Sequence, residues 1–104
     1  PSLQQRGPAD CVMALALVHH IAISNNVPLP MVADFLRSVT RKHLIIEFVP
    51  KTDPKVQKLL ATREDIFADY TEPGFELAFE HCFSPVRKDR IQDSARILYL
   101  MEVR

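Results

Sequence analysis

The chain has 104 residues, 47% of them hydrophobic, with 13 basic and 13 acidic side chains and a formal net charge of zero. That length holds one domain of ordinary size or part of a larger one, and the hydrophobic fraction excludes disorder by composition. Zero net charge leaves no general electrostatic footprint for nucleic acid or an anionic membrane, and no apolar run reaches the roughly 18 residues of a spanning helix.

Residues 1–9 (PSLQQRGPA) are polar, broken by prolines and a glycine, and read as a lead-in segment. The run DCVMALALVHH follows, from Asp10 to His20. Its apolar part lacks polar alternation and predicts a strand from Asp10 to about Leu17, covered on both faces as in a parallel sheet. His19 and His20 close the run. The stretch IAISNN predicts a short helical turn, stopped by Asn25 and Asn26, and Pro28 and Pro30 frame a loop. A helix is expected over Pro30–Ser38, with Val32, Phe35, Leu36 and Val39 as its apolar stripe.

The β-rich run from His43 to Val49 predicts the second strand, ended by Pro50. Thr52 or Asp53 is placed to cap a helix that begins at Pro54 and buries Val56, Leu59 and Leu60. The sequence TRED from Thr62 reads as a variant capping box, opening a helical segment with Ile66, Phe67 and Tyr70. Pro73-Gly74 is expected to break the chain before a helix carrying Phe75, Ala78, Phe79 and Cys82. The strand FSPVRKDRI, with Pro85 arguing for a sheet edge, and a final strand Arg96–Val103 are joined by a short connection, which implies an antiparallel hairpin. The fold class is α/β: two parallel strands with a helical crossover, plus a terminal antiparallel hairpin, in one unit spanning 1–104.

Gly7 and Gly74 belong to no phosphate-cradling pattern. Cys11 and Cys82 lie in apolar sequence without metal-ligand spacing, so they read as buried free thiols in a reducing, cytoplasmic compartment, and no metal site is expected. The short run VRKDR mixes signs and reads as a solvated strand face. In open parallel sheets, ligands bind beyond the carboxyl ends of the strands, where His19 and His20 are expected. Asp10, at the other end of that strand, lies about 25 Å away and reads as a cap or ion-pair partner. Glu47 interrupts IIEFV. A buried carboxylate needs a partner, so it either faces a ligand pocket or pairs with Arg or Lys. Lys51 and Asp53 either line the same crevice or serve as a solvent-facing residue and a helix cap.

A strand opening on Asp10 and ending LVHH, a proline-rich loop, a helix, the strand LIIEFVP and a hairpin ending RILYLMEV together resemble the C-terminal half of a class I (Rossmann-like) S-adenosylmethionine-dependent methyltransferase. The resemblance covers nearly the whole chain. It implies a seven-stranded sheet in which Asp10–Leu17 is the fourth strand, His43–Val49 the fifth, and the hairpin the sixth and seventh, the last antiparallel. The family's glycine-rich turn and ribose-holding acidic residue, which bind S-adenosylmethionine, have no counterpart here. What the resemblance implies is therefore the acceptor side of such a site, completed by the N-terminal half of the same protein and inactive alone. It places Leu17, Val18 and His19 beside the methionine end of the cofactor. It makes His19 or His20 a general base for the acceptor, with Glu47 as a further catalytic candidate; the bland alternative is that the histidines cap the strand end. Zero net charge favours a small-molecule methyl acceptor over nucleic acid. The rival reading is a non-catalytic dimerisation or interaction module derived from this fold. In either case the uncovered edge of the first strand predicts a homodimer of the isolated chain.

Overall fold

A computed structural model describes residues 9–62 and 64–104. Four strands are present: β1 (Ala9–Ala14), β2 (Thr40–Phe48), β3 (Phe83–Arg90) and β4 (Ile97–Val103). Three α-helices accompany them, α1 (Leu29–Val39), α2 (Pro54–Leu60) and α3 (Glu72–Glu80), with a π-helical turn over His20–Ser24. The sheet order is β1-β2-β4-β3. β1 and β2 are parallel, and β4 runs antiparallel to both its neighbours. The parallel pair with a helical crossover and the terminal hairpin are thus both present.

One sheet face is closed by apolar packing. Val12 and Ala14 of β1, Leu44, Ile46 and Phe48 of β2, and Ile97, Tyr99 and Met101 of β4 are all buried. Period-2 alternation places them on one side, and α1 and α3, packed on each other, complete the core there. Phe75 is at its centre, with ring centroids 5.0 Å from Phe48, 4.5 Å from Phe79 and 5.1 Å from Tyr99. α1 buries Leu29, Val32, Ala33, Leu36 and Val39. Phe35, expected in that stripe, is exposed instead, because the buried arc is centred on Val32, Leu36 and Val39. The Thr40 hydroxyl donates to the Leu36 carbonyl (2.6 Å), and the chain passes from helix to strand without a loop. β2 therefore starts three residues before His43.

Among the described residues the opposite face is open. Cys11, Met13, Ile45, Leu98 and Leu100 alternate with the core positions, and none of them is buried. β1 is thus covered on one face by the described residues, not on two, and Met13 is 63% exposed. β1 also ends at Ala14, not Leu17. Ala16 has φ of 53°, which takes the backbone out of the extended region, and the chain turns there into a helical segment.

Of the two caps expected for α2, Asp53 serves: its carboxylate accepts from the Lys55 amide at 2.9 Å. Two further expectations change. The TRED segment opens no helix; Asp65 accepts from the Phe67 amide (3.0 Å) and holds the Lys51 ammonium (2.9 Å), a local turn that competes with helix formation. Arg63 lies outside the described residues. Pro73-Gly74 is the first turn of α3, not a break, because Thr71 caps that helix and accepts from the Gly74 amide at 3.1 Å. An added Cβ at Gly74 would run into the Asp69 carbonyl oxygen, which explains glycine at this position. β3 is an edge strand as Pro85 suggests, and the ladder to β4 shifts register between Pro85 and Arg87.

Candidate functional site

Because β1 and β2 are parallel, their carboxyl ends lie at the same edge of the sheet, with Ala14 paired to Ile46. Beyond that pair the chain leaves β1 through Leu15 and the left-handed Ala16. The Leu17 carbonyl then accepts from the amides of His20 (3.0 Å) and Ile21 (3.2 Å), which starts the turn carrying both histidines. The two imidazoles are in contact, with centroids 4.3 Å apart and planes tilted by 37°. They differ in exposure: His20 is exposed, whereas His19 is 1% exposed. Among the described residues the His19 Nδ1 atom is buried without a hydrogen-bond partner. Burial, then the neighbouring His20 and Arg96, hold the His19 imidazole below its ordinary pKa, against a smaller opposing effect of Asp53.

Glu47 follows Ile46, the last β2 residue paired with β1, and is itself paired with Leu98 of β4. Its Oε1 accepts from the Ala16 amide at 2.9 Å and lies 3.4 Å from Arg96 Nη1. Arg96 also spans the Asp53 carboxylate, Nε to Oδ2 at 2.8 Å and Nη2 to Oδ1 at 3.3 Å. The Arg96 hydrogen bonds keep the Asp53 carboxyl below the usual carboxylate range. A single guanidinium thus joins the end of β2, the N-cap of α2 and the start of β4. Tyr70 packs on Phe48 (5.1 Å), and its hydroxyl donates to the Val49 carbonyl at 2.5 Å, behind the same strand end. Burial pushes the Tyr70 phenol well up.

Of the residues singled out in the sequence, His19, His20 and Glu47 are therefore brought to one end of the sheet. Leu17 is exposed there, while Val18 is fully buried in the core beneath it. Asp53 joins the group as both cap and ion-pair partner. Lys51 does not join it and pairs with Asp65. Asp10 is at the far end of β1, where it meets Arg41 at 3.4 Å on the surface. Sequence reasoning missed Arg96 as a site residue and missed the Ala16 turn. Both cysteines are free thiols, but Cys11 is exposed and Cys82 half-buried, donating to Asp34 at 3.5 Å. Among the described residues no group of three or more His, Cys, Asp or Glu could hold a metal ion, and no helix is long and apolar enough to cross a membrane.

A parallel pair joined through a helix and an antiparallel hairpin ending the sheet match the C-terminal half of a methyltransferase fold. The chain aligns over 100% of its length with a solved structure of magnesium protoporphyrin IX methyltransferase (ChlM) from Synechocystis PCC 6803 with bound SAH, at a TM-score of 0.61 and 18% identity, covering 49% of that chain. The same enzyme with bound SAM gives a TM-score of 0.58 and 21% identity, covering 43% of that chain. In sequence, the chain is 48% identical over 97 residues to nodulation protein NoeA of Rhizobium meliloti (strain 1021), a match that takes in 93% of this chain and 20% of NoeA. The chain spans one fifth of the curated relative and under half of the solved structures. No family model matches it.

Proposed function

We propose that these residues form the acceptor side of an S-adenosylmethionine-dependent methyltransferase whose other half binds the cofactor. The carrying observation is the position of the His19–His20 turn. It stands beyond the carboxyl ends of the parallel strands, in a fold that matches about half of a methyltransferase. Ligands of open α/β sheets bind at that edge. The cofactor would supply an electrophilic methyl group; this chain's part is to hold the acceptor and take its proton. His20 is the better candidate base, because it is exposed and its ring is backed by His19. His19 is enclosed, so its part is to support its neighbour. The acceptor is a small molecule on this reading, since the chain's net charge is zero.

The N-terminal half of the fold would cover the sheet face at Met13, Ile45 and Leu100 and pair with the edge of β1 that no described residue occupies. Titration calorimetry with S-adenosylhomocysteine tests this division. The full-length protein should bind with micromolar or tighter affinity, and residues 1–104 alone should show no measurable heat. Tight binding by residues 1–104, or none by the full-length protein, overturns it. A second reading, a non-catalytic interaction module, is favoured by the exposed Met13, Leu15 and Leu17. It is distinguished by a full-length protein that binds a protein partner but not the cofactor.

A further inference from the structure

Glu47 is an unusual residue for its position. It occupies the face of β2 that otherwise carries Ile45, beside Leu98 of β4, and is only 8% exposed. A carboxylate so enclosed persists only where its oxygens are engaged. Here one oxygen receives the Ala16 amide and faces the Arg96 guanidinium. The Ala16 amide belongs to a residue with φ of 53°, a conformation that alanine rarely adopts unless its surroundings hold it. The next carbonyl along, that of Leu17, receives the His20 and Ile21 amides. A continuous line of bonds therefore runs from the Glu47 carboxylate through Ala16 to the backbone that carries both imidazoles. Arg96 and Asp53 close the line on the other side and keep the carboxylate from swinging away.

We infer that Glu47 is a positioning residue, not a base: it fixes the turn after β1, and through it the His19–His20 pair, by accepting from the Ala16 amide. The inference deepens the methyltransferase reading and rests on it for its functional consequence, while its structural content is tested separately.

Two substitutions separate the roles in the full-length protein. Glu47→Gln keeps an acceptor oxygen at the same reach and loses the charge. Glu47→Asp keeps the charge and withdraws the oxygen by one methylene. Positioning predicts that Glu47→Asp speeds hydrogen exchange at the Ala16 amide at least tenfold and shifts the His19 and His20 ring resonances, and that Glu47→Gln leaves the Ala16 exchange unchanged. Turnover should then be at least tenfold lower in Glu47→Asp than in Glu47→Gln. The opposite order, with Gln deficient and Asp sound, overturns the inference and makes the charge essential. If Glu47→Asp fails to fold, Glu47→Gln alone decides, because loss of Ala16 protection there is equally fatal. Exchange and ring resonances are read without turnover, so a failed methyltransferase assignment leaves this result standing or fallen by itself.

Discussion

The two histidines are adjacent in sequence, yet the structure gives them different environments, and each difference has a measurable consequence. On an extended segment neighbours point to opposite sides; on this helical turn the two rings touch. On the proposed function, His20→Ala should lower turnover by roughly two to four orders of magnitude while leaving cofactor affinity unchanged. Steady-state kinetics beside calorimetry checks it, and full turnover in His20→Ala would remove the base. His19 shows itself through stability. Its folded pKa is lowered, chiefly by burial and then by His20 and Arg96, so the unfolded chain binds the proton more readily. The sign follows: the His19 contribution is fully present above its unfolded value of 6.5 and is lost as pH falls through the lower folded value. Asp53 acts in the same direction further down, its contribution fading below its ordinary value of 3.8. Stability should therefore decline in two stages on acidification. His19→Leu should abolish the first stage and leave the second. Denaturant midpoints measured from pH 7.5 to pH 3 would show it, and an unchanged slope between pH 6.5 and pH 5 in His19→Leu would contradict the assignment.

At the level of elements, what was legible in the sequence was what is local. Pro54 after Asp53 gave the start of α2, the spacing of Val32, Leu36 and Val39 gave α1, and β-rich runs gave β2 and β4. Misreadings fell where a short-range signal had two physical outcomes. Pro73-Gly74 signals a break, but after a capping Thr71 a proline in the first turn is favourable, and the glycine is there for the Asp69 carbonyl. Two α3 variants test this. Gly74→Ala, which in an exposed helix would stabilise by up to about 1 kcal/mol, should instead destabilise by roughly 1–3 kcal/mol, since the methyl group meets backbone. Thr71→Ala should cost about 1 kcal/mol through the lost cap. Urea denaturation of the two variants gives both values, and a stabilised Gly74→Ala would show that the 69–74 segment yields. The site itself was half legible. Two histidines after an apolar run pointed to the carboxyl-terminal side of β1, although the strand ends at Ala14 and a turn separates it from them. The Glu47–Arg96–Asp53 group was not legible as a unit, because Arg96 lies 49 residues from Glu47 and 43 from Asp53 and no spacing rule links them. The apolar run likewise hid the end of β1: nothing in LAL marks Ala16 as the residue that turns left, and the acceptor that holds it is 31 residues away.

At the scale of the whole molecule, the described residues close the sheet on one side and leave it open on the other. The two edges are also unlike each other. The β3 edge carries Pro85, Arg87, Lys88, Asp89 and Arg90, and Lys88 is tied back to Glu72 and Glu76 of α3 at 2.6 and 2.7 Å. Proline and charge of this kind discourage pairing with another strand. Among the described residues the β1 edge has less protection, Asp10 and a register shift beside it at its start and none from Cys11 to Ala14. Among the described residues it pairs only with β2, and the exposed Met13 and Leu15 lie beside it. An unpaired apolar edge next to an open apolar face is a template for association, and the simplest closed form is a two-fold pair. We therefore expect residues 1–104 to self-associate through β1 and the Met13–Ile45–Leu100 face. Sedimentation equilibrium over a dilution series should show a mass rising towards twice the monomer. Met13→Lys should move the equilibrium back to monomer, whereas Val86→Lys on β3 should leave it unchanged. In the full-length protein, where the proposed N-terminal half covers the same surface, Met13→Lys should instead lower stability and leave the oligomeric state alone. A strictly monomeric residues 1–104 at high concentration would mean that this surface does not recruit a second copy, and the open face would then lose its standing as an interface.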